Sequence, residues 1–241
     1  MQKLSVVIPA YNEEKRITET LRAVSGFLQK QSFQYEIIVV SDGSKDSTVS
    51  VVKNIAVSTP YLRIVANETN HGKGFVTRQG MLEANGDARL FMDADNSTTI
   101  EQVMPMLPYL ENGYGVVIGS IELEGAKINE HAQWYRRALG HWAKYLIRAV
   151  AGLWEIRDTQ RGFKLFSAAA ARDIFSHAVI ERFGFDIEIL ALAKKYGYKI
   201  KEMPVIWNNA GDSRVNIKSY IEVFIDLCRV RLNLWSGKYN K

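Results

Sequence analysis

The sequence predicts an α/β protein: a mixed, mainly parallel sheet with helices on both faces, followed by amphipathic helices toward the C-terminus. Three observations lead there. Short apolar runs alternate with helical periodicity through the first hundred residues. The segments that join them are short and rich in Asp, Asn, Ser and Gly. A chain of 241 residues, 47% hydrophobic with only five prolines, can bury one large core and carries no long tract of disordered composition.

The elements follow in order. Leu4 to Ile8 is an apolar strand closed by Pro9. Pro9-Ala10-Tyr11-Asn12-Glu13-Glu14 leads into a helix whose apolar residues Ile17, Leu21, Val24 and Leu28 recur at helical spacing. A second strand, Glu36 to Val40, runs into Ser41-Asp42-Gly43-Ser44-Lys45-Asp46-Ser47-Thr48. A helix begins near Ser47, with Ser47 and Thr48 as its expected caps. Leu62 to Val65 is a third strand. Asn70-His71-Gly72-Lys73-Gly74 then precedes a helix containing Arg78, and Ala88 to Met92 is a fourth strand. Each polar segment falls where a strand gives way to a helix. A parallel sheet gathers such junctions along one edge, the edge at which open α/β sheets bind ligands.

Asp93-Ala94-Asp95 lies at the fourth junction. Two carboxylates one residue apart repel unless a positive charge sits between them. A hard divalent cation, Mg²⁺ or Mn²⁺, fills that role, and Mg²⁺ is usually held by one or two carboxylates together with substrate phosphate oxygens. Asp93 and Asp95 are therefore the expected metal ligands, although Asp-x-Asp also occurs in solvated loops. Lys73, flanked by glycines at a helix start, suits an anionic group.

Charge is unevenly distributed. Residues 1–129 carry 12 Lys/Arg against 15 Asp/Glu, net −3, and residues 130–241 carry 19 against 11, net +8. A basic second half suits an anionic partner such as a phosphate headgroup or a membrane surface. No zinc-ligand spacing, RNA-binding signature or helix-turn-helix pattern supports nucleic acid as that partner. No segment is apolar for the roughly 18 residues that a membrane span needs. The first strand begins almost at Met1, so no signal peptide is expected. The single cysteine, Cys228, excludes a disulfide framework, fits a reducing compartment and is expected to be a small buried hydrophobe.

Seven ordered blocks carry a resemblance: "VVIPAYNEE", "IIVVSDGSKDST", "NHGKGFVTRQG", "FMDADNST", "DTQRGFKLF", "RFGFDIEIL" and "MPVIWNNAGDSRV". Together they resemble glycosyltransferase family 2, in its polyprenyl-phosphate (dolichyl-phosphate) branch, over roughly Leu4 to Gly237. The resemblance implies one GT-A domain, with residues 1–129 as the nucleotide-sugar half and residues 130–241 as the acceptor half. It implies donor contacts from Pro9, Tyr11, Glu13, Asp42, Lys73, Arg78 and Asp93. Tyr11 would stack on the base and Asp42 would accept from it. From the residues alone, Tyr11 also reads as a half-buried core tyrosine, Glu13 as a favourable charge at a helix N-terminus and Asp42 as a turn residue. Asp95 is the better candidate for direct metal ligation, with Asp93 on metal or ribose. Two departures from the family pattern stand out: Ser97 where some relatives have Gln, and Ile121 where many have Arg after Gly-Ser.

The second half should bind the acceptor. Arg136, Arg137, Gln160, Lys164, Ser213 and Arg214 are its candidate phosphate contacts, with the register of Ser213 affected by one inserted residue. Each cation alone also reads as an ordinary surface charge. Asp158 is placed nearest the reacting centre, so Asp95, Asp158 and Arg137 form the candidate catalytic set. Arg161 stands where glucosyl relatives often have a small residue. Asp186 and Glu188 are either a second acidic pair or structural residues at a helix start. Two amphipathic stretches complete the half. From Trp134 to Trp154, Trp134, Ala138, Trp142, Tyr145, Leu146, Val150 and Leu153 share a face opposite Arg137, His141, Lys144 and Arg148. From Ile217 to Trp235, Ile217, Tyr220, Ile221, Phe224, Ile225, Cys228, Leu232 and Trp235 form a wide apolar arc. Core packing is the default for that arc, with a membrane, another subunit or a membrane-protein partner as alternatives.

The expected activity is inverting, metal-dependent transfer of a hexose, UDP-glucose favoured, to a polyprenyl or dolichyl phosphate, peripherally on the cytoplasmic face of a membrane. GDP-mannose is the alternative donor. A hydroxyl acceptor on a polysaccharide or glycolipid, or a non-catalytic nucleotide-sugar binding module, are further alternatives.

Overall fold

A computed structural model of the chain describes residues 2–128, 145–208 and 217–240. Arg136, Arg137, Ser213, Arg214 and the Trp134–Trp142 part of the first amphipathic stretch lie outside the described residues.

The chain runs β1 (Lys3–Ala10), α1 (Ile17–Leu28), β2 (Gln34–Asp42), α2 (Thr48–Ser58), β3 (Leu62–Asn67), α3 (Lys73–Glu83) and β4 (Ala88–Met92). A 3₁₀ helix (Ile100–Met106) leads into α4 (Leu107–Glu111), followed by β5 (Val116–Ser120) and β6 (Lys127–Ile128). A helix, α5, covers residues 145–151. Then come β7 (Phe163–Ser167), α6 (Ala168–His177), α7 (Phe185–Lys195), β8 (Ile200–Pro204), β9 (Ile206–Trp207) and α8 (Ile217–Trp235).

Seven strands form one sheet in the order β3-β2-β1-β4-β7-β5-β8, while β6 and β9 pair separately. The pairs β1–β2, β2–β3, β1–β4 and β5–β8 are parallel, and β7 is antiparallel to both its neighbours. Successive residues in a strand point to opposite faces. Val7, Ile38, Val40 and Phe91 therefore feed one core, and Leu4, Val6, Ile8, Ile37, Val39, Leu90 and Met92 feed the other. Strands that are apolar on both faces need cover on both, and the helical crossovers between parallel strands supply it. After β1 the chain steps outward to β2 and β3, then returns to β4 on the other flank of β1. The connections diverge there, leaving a crevice beyond the strand ends.

Helix α1 buries Ile17, Leu21, Val24 and Leu28, as their spacing predicts. Pro9 does not end β1, which continues to Ala10 and pairs Pro9 with Val40 on β2. The cap of α2 also differs from expectation. Asp46 accepts from the Thr48 backbone N–H (3.0 Å) and hydroxyl (2.5 Å), while Ser47 makes no side-chain cap.

The amphipathic segments give the larger correction. At every position described, the apolar arc of α8 faces outward: Phe224 is 51% exposed, Ile225 45%, Leu232 59% and Trp235 70%. Cys228 is exposed with them, not buried. The helix instead buries Asp226, Leu227 and Val230, with Val223 and Leu234 partly covered, in packing against α7. One narrow stripe suffices for that contact, so the wider arc stays uncovered. In the first stretch, Ile147, Ala151 and Leu153 are buried while Tyr145, Leu146 and Trp154 are exposed. Among the described residues, no helix is long and apolar enough to cross a membrane.

Candidate active site

The strand ends carry the polar junctions to the β1/β4 side of the sheet, where Asp42 ends β2, Tyr11, Asp93 and Asp95 follow strand ends and Lys73 opens a helix. Tyr11, just past β1, is partly exposed. Glu13 is buried and holds Arg16 through both oxygens, at 2.8 and 3.1 Å. Its backbone N–H donates to the Thr48 hydroxyl at 2.7 Å, tying the β1–α1 turn to α2.

Asp42 is buried and committed to the neighbouring loop. Its carboxylate accepts from the Asn70 amide (2.8 Å), the His71 N–H (2.7 Å) and the Gly72 N–H (2.9 Å). The Phe75 N–H at the same helix start donates to the Glu181 carbonyl at 3.0 Å. The start of α3 thus already has an anion, supplied by the protein. Gly72 adopts φ +117°, and a Cβ there would strike the Glu181 carbonyl, so the 178–184 loop packs directly on the loop carrying Lys73.

Two lysine–carboxylate pairs lie beneath the crevice, both over the Phe91 ring. The Lys73 ammonium is 2.6 Å from Asp93 Oδ1 and 5.4 Å from the Phe91 centroid. Burial weighs against its charge, but Asp93, and after it Asp186, outweigh burial and hold the ammonium charged above the usual lysine range. Lys164 lies 5.8 Å from the same centroid, fully buried, and donates to Asp186 and to the Arg161 carbonyl. Burial pushes the Asp186 carboxyl upward against the pull of Lys164 and Lys73. Lys164 therefore differs from the surface cation expected of an acceptor-phosphate contact: its ammonium is enclosed and already paired. Asp186 and Glu188 take structural positions here. Glu188 accepts from the Val179 and Ile180 N–H groups, both at 2.9 Å, and from the Tyr239 hydroxyl at 2.5 Å. Arg78 donates to the Ala178 carbonyl at 2.8 Å and lies over Phe75.

The two central carboxylates are held differently. The Asp93 N–H donates to the Gly162 carbonyl at 3.0 Å, and a Cβ at Gly162 would collide with the Asp93 carboxylate. Asp95 Oδ1 accepts from the Ser97 N–H at 2.9 Å. Asn96, between Asp95 and Ser97, adopts φ +54°, a conformation asparagine tolerates better than most residues, and its side-chain oxygen is buried without a hydrogen-bond partner among the described residues. Among the described residues, no three His, Cys, Asp or Glu side chains gather as a metal cage. The protein offers two carboxylates and a nearby unsatisfied amide oxygen, an all-oxygen set suited to a hard cation that completes its shell with phosphate and water.

Asp158 is buried at the neck of the loop before β7. Its Oδ2 accepts from the Ile121 N–H (3.2 Å) and Arg161 Nε (3.1 Å), and its Oδ1 from the Gln160 N–H (3.3 Å). Glu202 on β8 clips this loop by accepting from the Arg157 and Asp158 N–H groups at 2.9 and 2.7 Å. Gln160 itself is exposed. Sequence reasoning missed Glu202, Trp207 and the Lys164–Asp186 pair, because each joins residues far apart in the chain and no local spacing signals it.

A mainly parallel sheet with paired carboxylates at its switch point, closed by an antiparallel strand, is the architecture of a GT-A glycosyltransferase. The sequence profile described as Glycosyl transferase family 2 matches residues 5–175. The chain is 38% identical over 247 residues to "Dolichyl-phosphate beta-glucosyltransferase ALG5C" of Trichomonas vaginalis, covering 96% of this chain and 73% of that protein. It is 33% identical to the Homo sapiens dolichyl-phosphate beta-glucosyltransferase, covering 99% of this chain and 78% of the relative. Among solved structures, it superposes with TM-score 0.69 and 19% identity on glucosyl-3-phosphoglycerate synthase from Mycobacterium tuberculosis in complex with Mn²⁺, UDP and phosphoglyceric acid. That match covers 95% of this chain and 78% of the other. The chain belongs to glycosyl transferase family 2 and is a glycosyltransferase.

Proposed function

We propose that this enzyme transfers glucose from UDP-glucose to a polyprenyl phosphate of the dolichyl type, with inversion, giving a β-linked lipid-phosphate sugar. The observation that carries the reading is the extent of the likeness to dolichyl-phosphate beta-glucosyltransferases: 96–99% of this chain, through the acceptor half as well as the donor half. In the reaction the bond from the anomeric carbon to the UDP oxygen breaks, and a bond to an acceptor phosphate oxygen forms from the opposite face.

The residues divide this work. Pro9 and Tyr11 line the base side of the crevice, with Asp42 shaping the loop beside it. Asp93 and Asp95 would hold a divalent cation, Mg²⁺ or Mn²⁺. When bound, that cation neutralises diphosphate charge and eases departure of UDP. Lys73, 2.6 Å from Asp93 Oδ1, positions that carboxylate at the crevice. A lipid phosphate has its second pKa near about 6, so it arrives mostly ionised and needs neutralisation and alignment more than a general base. Arg136, Arg137, Ser213, Arg214 and Gln160 are the proposed acceptor contacts.

The uncovered apolar arc of α8, flanked by Arg229 and Arg231, supports peripheral seating on a membrane that supplies the lipid, on its cytoplasmic side. Two paired assays test the reading. The first offers polyprenyl phosphate or the corresponding alcohol, and the second UDP-glucose or GDP-mannose. Transfer confined to the phosphate and to UDP-glucose supports it. Equal transfer to the alcohol favours a hydroxyl acceptor, and preference for GDP-mannose overturns the sugar assignment.

A further inference from the structure

Arg161 is fixed on three sides. Its Nε donates to Asp158 Oδ2 at 3.1 Å, its guanidinium lies 4.8 Å from the Trp207 ring centroid, and its carbonyl accepts from Lys164. Asp158 cannot swing away, because the same Oδ2 takes the Ile121 N–H and its own N–H is held by Glu202. Trp207 is equally anchored. Asn208 N–H donates to the Ser97 carbonyl at 2.8 Å, and Ile206 exchanges hydrogen bonds with Gln102 at 2.6 and 2.8 Å. The arginine therefore sits between the segment that follows Asp95 and the Gly162 backbone packed on Asp93.

Only one edge of the guanidinium is used. The two Nη groups make no hydrogen bond among the described residues, and the side chain is 26% exposed. A planar cation held over an aromatic ring, partly exposed and one residue from the glycine packed on Asp93, matches phosphate oxygens, which a guanidinium fork reads bidentately. Its orientation is set before any ligand arrives, so little rotamer freedom is lost on binding.

We propose that the Nη edge of Arg161 binds a phosphate group of the reacting pair, making Arg161 a binding residue beyond the expected set. This rests on the lipid-phosphate transferase reading. The phosphate belongs either to the lipid acceptor or to the diphosphate of the donor.

The test uses the full chain and its R161K, R161Q and W207A variants. It measures KM for a short polyprenyl phosphate, calorimetric affinity for UDP with Mn²⁺, and melting temperature. R161K keeps charge but loses the fork and the stack, so it should lose about 10- to 100-fold, with R161Q at least as much. W207A, which removes only the platform, should lose less in the same constant. A rise in acceptor KM with UDP affinity unchanged assigns the lipid phosphate, and a matching loss of UDP affinity assigns the donor. Folded R161K and R161Q proteins with both constants within twofold of wild type overturn the proposal. A wild-type chain that transfers nothing to lipid phosphate defeats the functional reading instead, and the UDP arm then decides Arg161 alone.

Discussion

Replacing Lys164 by Met tests the charge arrangement beneath the active site. Lys164 is fully buried and its partner Asp186 is 5% exposed, so removing the ammonium leaves a carboxylate without its counter-charge in a dry site. Breaking such a pair from one side costs about 3–5 kcal/mol. Met fills most of the lysine stem's volume over Phe91, so little of the loss comes from packing. At about 2–4 °C per kcal/mol for a chain of this size, the melting temperature should fall by roughly 6–20 °C. The deficit should depend on pH in one direction. The Asp186 carboxyl is already pushed upward by burial, and without Lys164 it escapes the penalty by taking a proton. The deficit is therefore largest at neutral and higher pH and shrinks as pH falls, by at most about 1.4 kcal/mol per unit. The double variant K164M/D186L removes both charges and should recover most of the stability. Urea unfolding followed by circular dichroism at pH 5 and pH 7 measures all of this. A K164M protein within about 1 kcal/mol of wild type at pH 7, or a double variant less stable than the single, would refute the reasoning.

Three further variants probe other joints. Burial alone would raise the Glu36 carboxyl, but the Ser5 hydroxyl, the Asn85 N–H and Lys3 together hold it below the ordinary glutamate value of 4.5. Its stabilisation is complete above that value and lost as pH falls through the lower folded one, so E36Q should flatten the acid limb of melting temperature against pH. G162A drives a methyl into the Asp93 carboxylate and should lower kcat/KM about 100-fold, read in steady-state transfer with melting temperature as the control. Y239F removes the Glu188 contact that pins the end of the chain beyond α8 and should cost about 1–3 kcal/mol in urea unfolding.

Much of this architecture was legible in the sequence because it is local. Ala88–Met92 reads as a strand because four of its five residues are apolar, with Arg89 the exception, and Ile17, Leu21, Val24 and Leu28 fix the face of α1. The carboxylates at Asp93 and Asp95 stand out because a strand end must place them at the sheet edge. Helical periodicity failed for α8. It identifies an apolar face without saying whether anything covers it, and α7 covers a neighbouring stripe through Asp226, Leu227 and Val230. Side-chain roles were less legible than positions. Asp42 and Lys164 carry charges suited to a ligand, yet the fold turns the first onto the 70–72 loop and the second onto Asp186. Those partners lie about 20 to 30 residues away, beyond the reach of any local pattern. Arg161 is the converse: the sequence marks it only as a departure from the small residue common in glucosyl relatives, and the fold gives it direction through Asp158 and Trp207.

The most direct test of the account is transfer of radiolabelled glucose from UDP-glucose to a short polyprenyl phosphate, read as label entering the organic phase. The measurement is repeated with chelator and again with Mn²⁺ restored. The account predicts lipid-soluble label that chelator abolishes, that Mn²⁺ recovers, and that alkaline phosphatase pretreatment of the acceptor prevents. UDP binding with no lipid-soluble label under any of these conditions would contradict it.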